Sequence, residues 1–409
     1  MINTERLQQT LLEMLAIPSP CGFTDEIVHY VGRELEKAGV EYDLTRRGTI
    51  RAKLPGSGQG PVRAVVNHLD TIGAIVRFIR PDGRLLVAPI GYWSSRFAEG
   101  MRVTIFSEPG AYRGTLLPSV VWGVSRDRGV EQVPMDWDHI ELRLDEPVFN
   151  AADVHKLGIE VGDFIAFDAR PEILDNGFIV SRNLDNKAGA AAVLECLRAV
   201  REGKLPVTRD TYFMFTVTET IGSGTGSALF PEVSELLTVD FASVPPGEKS
   251  PFKRVTIAAG DAAGPYDYHF VSRLQAIAAE ADIPHQKKLL EAFHSDAAAA
   301  LAAGHDVRTA VIAYAGDASH STERTHIESL TNLSKLLLAY LASEPTFEHD
   351  TPLTSVEDFS RQITETNMPR PMLSGPDTRD VIHGYAATRD GEAPDGGAGA
   401  GDAAGSDDE

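Results

Sequence analysis

Two cysteines in 409 residues, Cys21 and Cys196, are too few for a disulfide framework, and their settings, a Pro-Cys-Gly turn and an apolar helix face, fit a reducing compartment. No cysteine spacing of the zinc-finger kind occurs. Basic residues are also scarce: 38 against 59 acidic ones leave a net charge of −21, the wrong sign for a generic nucleic-acid binder. Seven of the carboxylates fall in the last twenty residues, Asp390 to Glu409, with no base among them. No apolar run approaches the roughly 20 residues that span a bilayer. The opening MINTERLQQTLLEML carries Glu5 and a Leu7, Leu11, Leu12, Leu15 rhythm, so it predicts an amphipathic first helix and no signal peptide. The expectation is a cytoplasmic protein with no nucleic-acid or membrane partner.

What is present is α/β grammar, interrupted once. Helical patterns at the start, the second with Thr24 as cap, lead to a strand at Val62 to Asn67. From Gly73 to Asp175 the pattern changes to short β runs (Arg102 to Phe106, Tyr112 to Val120, His139 to Leu144, Asp163 to Phe167) between Gly, Pro and Asp turns. Then helix and strand alternate again, with a helix at Ala188 to Val200, strands at Thr211 to Val217, Leu236 to Val239 and Val307 to Ala313, and a last helix from Ile327 to Leu341. The predicted organisation is a split α/β catalytic domain, residues 1–72 and 176–348, interrupted by a β domain at 73–175. The tail, 349–409, is too poor in apolar residues to offset its ordering entropy.

The polar residues that follow the buried strand-like runs form an ordered set: Asn67-His68-Leu69-Asp70, Leu184-Asp185-Asn186, Thr218-Glu219-Thr220, Val239-Asp240 and Ser319-His320-Ser321. In open α/β sheets the ligand crevice lies outside the carboxyl ends of the strands, where such residues converge. Imidazoles with carboxylates suit Zn²⁺, Co²⁺ or Mn²⁺, and a shared carboxylate suits a co-catalytic pair of ions. Taken singly, each residue has a plainer reading. Asp185 before a helix is a typical N-cap, His68 an interior histidine, and Glu219 a solvated edge carboxylate.

In its order and in the stretches NHLDTIGAI (Asn67 to Ile75), LGIEVGDFI (Leu157 to Ile165), NGFIVSRNLDNKAG (Asn176 to Gly189) and TVTETIG (Thr216 to Gly222), the chain resembles the tetrahedral aminopeptidases. These metal-dependent exopeptidases are related to glutamyl and deblocking aminopeptidases, and some members have been labelled endoglucanases. The resemblance runs over roughly residues 5 to 345. It implies a three-layer α/β metallopeptidase core with a mixed sheet and a barrel-like β insertion. It makes His68 and Asp240 ligands of one metal, Asp185 the bridging carboxylate and His320 a ligand of a second metal. Asp70 would orient the His68 imidazole. Glu219 would be the general base, activating metal-bound water for attack on a short peptide. The family has a second Glu after this base, where this chain has Thr220. That departure leaves open an enzyme with one tight metal, a second site repaired by Asp267, Asp296 or Glu323, or a degenerate member that binds a peptide or osmolyte.

Thr220, the LDNKAGAAAVLECLRAV helix and the ERTHIESL segment further resemble the branch associated with the osmoprotectant N-acetylglutaminylglutamine amide, which implies a small glutamine-containing peptide or amide as substrate. Asp296 and His294 fall where the family has a loop near the substrate. The resemblance also implies a homo-oligomer built through the insertion: a dimer, or dimers assembled into a tetrahedral dodecamer. Lys187 reads as a solvated first-turn residue or a substrate contact, and His269 as structural. Trp93, Trp122 and Trp137 read as packing the core of the insertion or an interface, rather than stacking on a ligand.

Overall fold

The run Val62–His68 carries Val62, Ala64, Val65 and Val66 on both of its faces, the pattern of a strand covered on both sides, and in the computed structural model it is central and buried at every residue but the first. The structure describes residues 1–120, 129–244, 251–291 and 293–347; Trp122 and the acidic tail lie outside them. Val62–His68 pairs in parallel with Thr211–Thr216 on one side, bringing His68 opposite Thr216, and with Val233–Ser243 on the other, bringing Val66 opposite Thr238. Arg308–Asp317 adds a fourth parallel strand with Asp240 opposite Ala313. Antiparallel strands extend both sides of this parallel centre, giving a mixed sheet of 12 strands.

Side chains alternate across a strand, so the two faces of the sheet bury different sets. Val65, Phe213, Leu237 and Val239 face a thick layer built from the helices Thr4–Leu15, Asp25–Lys37, Leu184–Gly203, Tyr268–Glu280 and Ile327–Ala342. Ala64, Val66, Met214 and Leu236 face a thinner layer that includes Ala300 of the short helix Asp296–Ala302. His68 and Asp240 keep the parity of Val66 and Leu236, which sends both side chains to the thin side. Three layers result.

Helix Leu184–Gly203 departs from the one-sided pattern expected of it. Every residue from Leu184 to Val200 is buried, because the helix lies between the sheet, the first helix and the last. Alanines 188 and 190 to 192 allow that close approach, and its interior charges are paired: Glu195 with Arg6 at 2.7 Å, and Arg198 with Glu34. Thr24 does occupy the N-cap of Asp25–Lys37, but its side chain makes no capping bond.

The insertion is a closed barrel of six antiparallel strands: Gly73–Ile79, Leu85–Ile90, Arg102–Ser107, Gly110–Pro118, Ile140–Leu144 and Phe164–Phe167. It has its own apolar centre, with Val76, Val87, Val103, Ile105, Leu116, Leu142 and Ile165 inside. Its strands end at Phe167, and Glu172–Ile173 pairs with Phe178–Ser181 in the main sheet, so the chain re-enters the core earlier than the composition suggests. Trp93 and Trp137 meet edge to face at 4.7 Å, and Trp93 meets Phe167 at 4.9 Å. No described helix is long and apolar enough to cross a membrane.

The last helix is fastened by a buried ion pair. Arg63 and Glu235 lie 3.1 Å apart on adjacent parallel strands. Arg63 also donates to the carbonyl of Tyr340 at 3.0 Å, and Glu235 accepts from the Tyr340 hydroxyl at 3.1 Å and the Thr346 amide at 2.9 Å. Removing one partner strands a buried charge, which typically costs about 3 to 5 kcal/mol. Glu235→Ala should therefore lower unfolding free energy by about that amount in a urea titration, whereas loss of the exposed Lys253–Glu328 pair should change it by about 1 kcal/mol or less.

Candidate metal centre

Four strand ends and one helix start converge at the carboxyl edge of the parallel strands. His68 ends the central strand, Asp240 lies beside it, Glu219 and Thr220 follow Thr211–Thr216, His320 follows Arg308–Asp317, and Asp185 opens Leu184–Gly203. His68 Nε2 stands 3.3 Å from Asp185 Oδ1, 3.5 Å from Glu219 Oε2 and 4.0 Å from Asp240 Oδ1. Donor atoms of His68, Asp185 and Asp240 all lie within 4.8 Å of one another. His320 Nε2 is 3.8 Å from the other Asp185 oxygen, Oδ2.

Both imidazoles are held so that Nε2 faces this cluster. His68 Nδ1 bonds to the Asp70 main-chain carbonyl at 2.9 Å, and His320 Nδ1 to the Tyr92 carbonyl at 3.0 Å. A carbonyl only accepts, so Nδ1 carries the proton and Nε2 is left with a lone pair in the neutral ring. Asp240 is 1 % exposed; its Oδ1 accepts from the Phe241 amide and from Asn186, while Oδ2 has no hydrogen-bond partner among the described residues. Such an oxygen is costly unless a cation meets it. Among the described residues no Arg or Lys pairs with Asp185, Glu219 or Asp240.

The protonation pattern reflects the same shortage. Burial works to keep His68 neutral, but Glu219, Asp185, Asp70 and Asp240 outweigh it and raise its pKa well above the usual imidazole value. Burial lifts Glu219 well above the carboxyl range, against His68 and with help from Asp240, Asp296 and Asp70. Asp240 rises likewise through burial and the Asp185 charge. For Asp185, burial is overcome by His68, His320 and the Ser319 hydroxyl, and its pKa falls. Three oxygen and nitrogen donors around an unsatisfied buried oxygen fit a divalent ion.

A second ion position fares worse. The Thr220 hydroxyl is turned away, donating to Asp70 Oδ2 at 2.6 Å, and its amide donates to the same oxygen at 3.1 Å. With the Glu219 amide on Oδ1 at 3.2 Å, the Asp70 carboxylate secures the Glu219-Thr220 turn; the Asp70 contact that directs the His68 ring is its main-chain carbonyl. Among the described residues, the acids weighed for that place make other contacts. Asp267 caps Tyr268–Glu280 through the Phe270 amide. Glu323 spends one oxygen on the Asp185 amide at 2.9 Å and the other on the His320 amide at 3.0 Å. Burial, with the Asp185 charge, pushes Glu323 up to about 8.

Asp296 corrects an expectation. It is fully buried and does not reach the cleft, because its oxygens accept from the Thr225 amide at 2.7 Å and the Thr216 hydroxyl at 2.9 Å. Its neighbour His294 is exposed and lines the cleft of about 1320 Å³, together with His68, Glu219, Ile221, Leu289 and Phe293. Lys187 is neither solvated nor a cleft residue. It is 1 % exposed, donates to the Ile17 carbonyl at 2.5 Å, and is driven down to about 7 by burial. His269 opens a helix and faces Phe347. The N-cap position that suited Asp185 belongs to Asn183, in left-handed conformation and without a side-chain cap. Asn186, from the ordered set, donates to Asp240, whereas Arg182 and the Tyr92 carbonyl, which hold His320 in place, were not singled out in the sequence, since each acts through contacts made only in three dimensions.

A model of the M42 glutamyl aminopeptidase family matches residues 48–336. The chain belongs to this family. Membership makes it an aminopeptidase-like hydrolase, and M42 peptidases use divalent metal. It is 36 % identical over 345 residues to YhfE of Bacillus subtilis (strain 168), provisionally named an aminopeptidase, covering 84 % of this chain and 99 % of that one. The fold matches aminopeptidase APDkam598 from the archaeon Desulfurococcus kamchatkensis, with a TM-score of 0.74, 21 % identity, and coverage of 83 % and 95 % of the two chains. It also matches the Pyrococcus horikoshii TET1 peptidase, which assembles into a tetrahedron or a large octahedral shell, with a TM-score of 0.72, 20 % identity and coverage of 82 % and 99 %.

Metal ligands must be deprotonated, and burial raises Glu219 and Asp240 while the surrounding acids raise His68, so a divalent ion competes with protons for this M42 site. Affinity for Co²⁺ should fall as pH is lowered, and uptake should release protons, seen as a dependence of the binding heat on buffer ionisation enthalpy. Asp240→Asn should weaken binding by about tenfold or more in equilibrium dialysis.

Proposed function

We propose that this M42 member is a metal-dependent aminopeptidase acting on short peptides. The reading rests on the bare, buried Asp240 Oδ2 beside His68 and Asp185, with Glu219 next to them at the cleft wall. His68, Asp185 and Asp240 hold one divalent ion, and Zn²⁺, Co²⁺ and Mn²⁺ suit this donor set. Among the described residues His320 and Asp185 Oδ2 would offer two donors to a second ion, which would bind more weakly. A bound ion supplies Lewis acidity, polarising the scissile carbonyl and acidifying water.

The chain's own residues do the rest. Glu219 takes the proton from the attacking water at its carboxylate and returns it to the leaving amine. Asp70 holds Glu219 to that task, because its carboxylate anchors the amides of Glu219 and Thr220. His68 and His320 keep Nε2 toward the cleft through the carbonyls that take their Nδ1 protons. The cleft wall formed by Ile221, Leu289, Phe293 and His294 receives the peptide. A glucan hydrolase needs two carboxyl groups flanking a glycosidic bond, whereas these carboxylates gather around one imidazole. The barrel provides the surface through which copies associate, a dimer being the smallest assembly.

Glu219→Gln should lower kcat by about 10²- to 10⁴-fold while leaving bound metal, measured by atomic emission, unchanged. Wild-type turnover in that variant would remove Glu219 from the chemistry. Turnover of a panel containing glutaminylglutamine, its amide and its N-acetylated form separates aminopeptidase from amidase action: an aminopeptidase cuts the first two and spares the acetylated one.

A further inference from the structure

His320 and Ala318 both have left-handed backbones, with φ of +65° and +58°. Residues with side chains keep that conformation only where their surroundings impose it. Three groups fix His320. Its amide donates to Glu323 Oε1 at 3.0 Å, its Nδ1 donates to the Tyr92 carbonyl at 3.0 Å, and its own carbonyl accepts from Arg182 Nη2 at 3.4 Å. Only Glu323 lies on the same stretch of chain.

The other two holds lead to the barrel. Tyr92 sits on the turn that leaves barrel strand Leu85–Ile90, and this turn is packed closely against the core. Gly91, at φ +86°, lies where a Cβ would come within 3.1 Å of Ile72 and 3.3 Å of the Thr220 carbonyl oxygen. Arg182 follows core strand Phe178–Ser181, yet its guanidinium is embedded in barrel groups. Nη1 donates to the Phe97 carbonyl at 2.9 Å, and the guanidinium carbon lies 5.6 Å and 5.1 Å from the ring centres of Trp93 and Phe167. The residue is 3 % exposed. One guanidinium thus spans two main-chain carbonyls, one in the insertion and one on the residue that faces Asp185.

We propose that Arg182 is the positioning residue through which the barrel sets the conformation of His320. A planar fork with several fixed donors reaches two carbonyls at once and stacks on aromatic rings; an ammonium does neither as well. Seating the barrel places Phe97, Trp93 and Tyr92, Arg182 transmits that seating to the His320 carbonyl, and the Tyr92 carbonyl selects the Nδ1–H tautomer. The consequence for ion binding rests on the metal reading given above; the positioning of His320 does not.

The test uses the full chain labelled with ¹⁵N-histidine, at a pH about two units above the ordinary imidazole value, with His320 assigned by its loss in His320→Gln. Long-range ¹H–¹⁵N spectra should show His320 as the Nδ1–H tautomer in the wild type. In Arg182→Met, which keeps the apolar stem but no donor, His320 should shift to the mixed tautomers of a free ring, with Arg182→Lys intermediate. Thermal melting checks that each variant is folded, and Arg182→Lys carries the test if the Met variant is not. An unchanged Nδ1–H pattern in the folded variants overturns the proposal. Co²⁺ titration supplies the second readout: the weaker binding event, the one His320 would serve, should fall in affinity about 10- to 100-fold in Arg182→Met, with the tighter event unchanged. A shifted tautomer with unchanged Co²⁺ affinity would uphold the positioning role and remove His320 from the ion's surroundings.

Discussion

Everything at the carboxyl edge of this sheet answers to a concentration of negative charge that the protein itself does not neutralise. Asp70, Asp185, Glu219 and Asp240 surround one imidazole, and no guanidinium or ammonium pairs with the last three among the described residues. At an effective dielectric near 20, two unit charges 4 Å apart repel by about 4 kcal/mol, so the arrangement is unfavourable until a cation or protons enter. The raised pKa values of His68, Glu219 and Asp240 have their cause in that same crowding and in burial. The rest of the domain makes this cluster rigid, because four parallel strands fix where each acid ends and a fully buried helix fixes Asp185.

The sequence order of the acids and histidines was readable because each follows an apolar run, and apolar runs in α/β chains end at one edge of the sheet. The split core and the β insertion were readable for the same reason, since the hydrophobic period changes near Gly73. Barrel strands Gly73–Ile79 and Leu85–Ile90 were not picked out, and neither were strands Val255–Asp261 and His285–Leu290 nor helix Tyr268–Glu280. Val255–Asp261 pairs with strands from distant parts of the chain, so long-range partners decide its state more than local pattern does.

The site misreadings have a common cause, which is that residue type does not say where a side chain points. Asp296 opens the short helix Asp296–Ala302, and the Thr225 amide and Thr216 hydroxyl hold its carboxylate in the interior. Lys187 looked solvated at a helix start, yet that helix is covered on all sides and the amine ends on the Ile17 carbonyl. The expectation for Asp70, that it orients the His68 imidazole, did not say which oxygen does so, and it is the main-chain carbonyl that reaches the ring. Thr220 offers a hydroxyl and an amide that compete for the Asp70 carboxylate, and the shorter contact, 2.6 Å against 3.7 Å, is with Thr220.

That competition links the chain's departure at Thr220 to the position of the insertion. The barrel begins at Gly73, immediately after the segment that carries His68 and Asp70, and its first hairpin returns to the site at Gly91 and Tyr92. A residue at 220 is therefore held between the Asp70 carboxylate on the core side and the barrel turn on the other. Threonine satisfies both: its hydroxyl and amide serve Asp70, and its carbonyl and Cβ lie against Gly91. A longer acid there would have to extend past Asp70, where like charges repel unless an ion separates them. The Thr220–Asp70 bond thus stabilises the turn from within the protein, just as Glu323, Arg182 and the barrel carbonyl of Tyr92 hold His320.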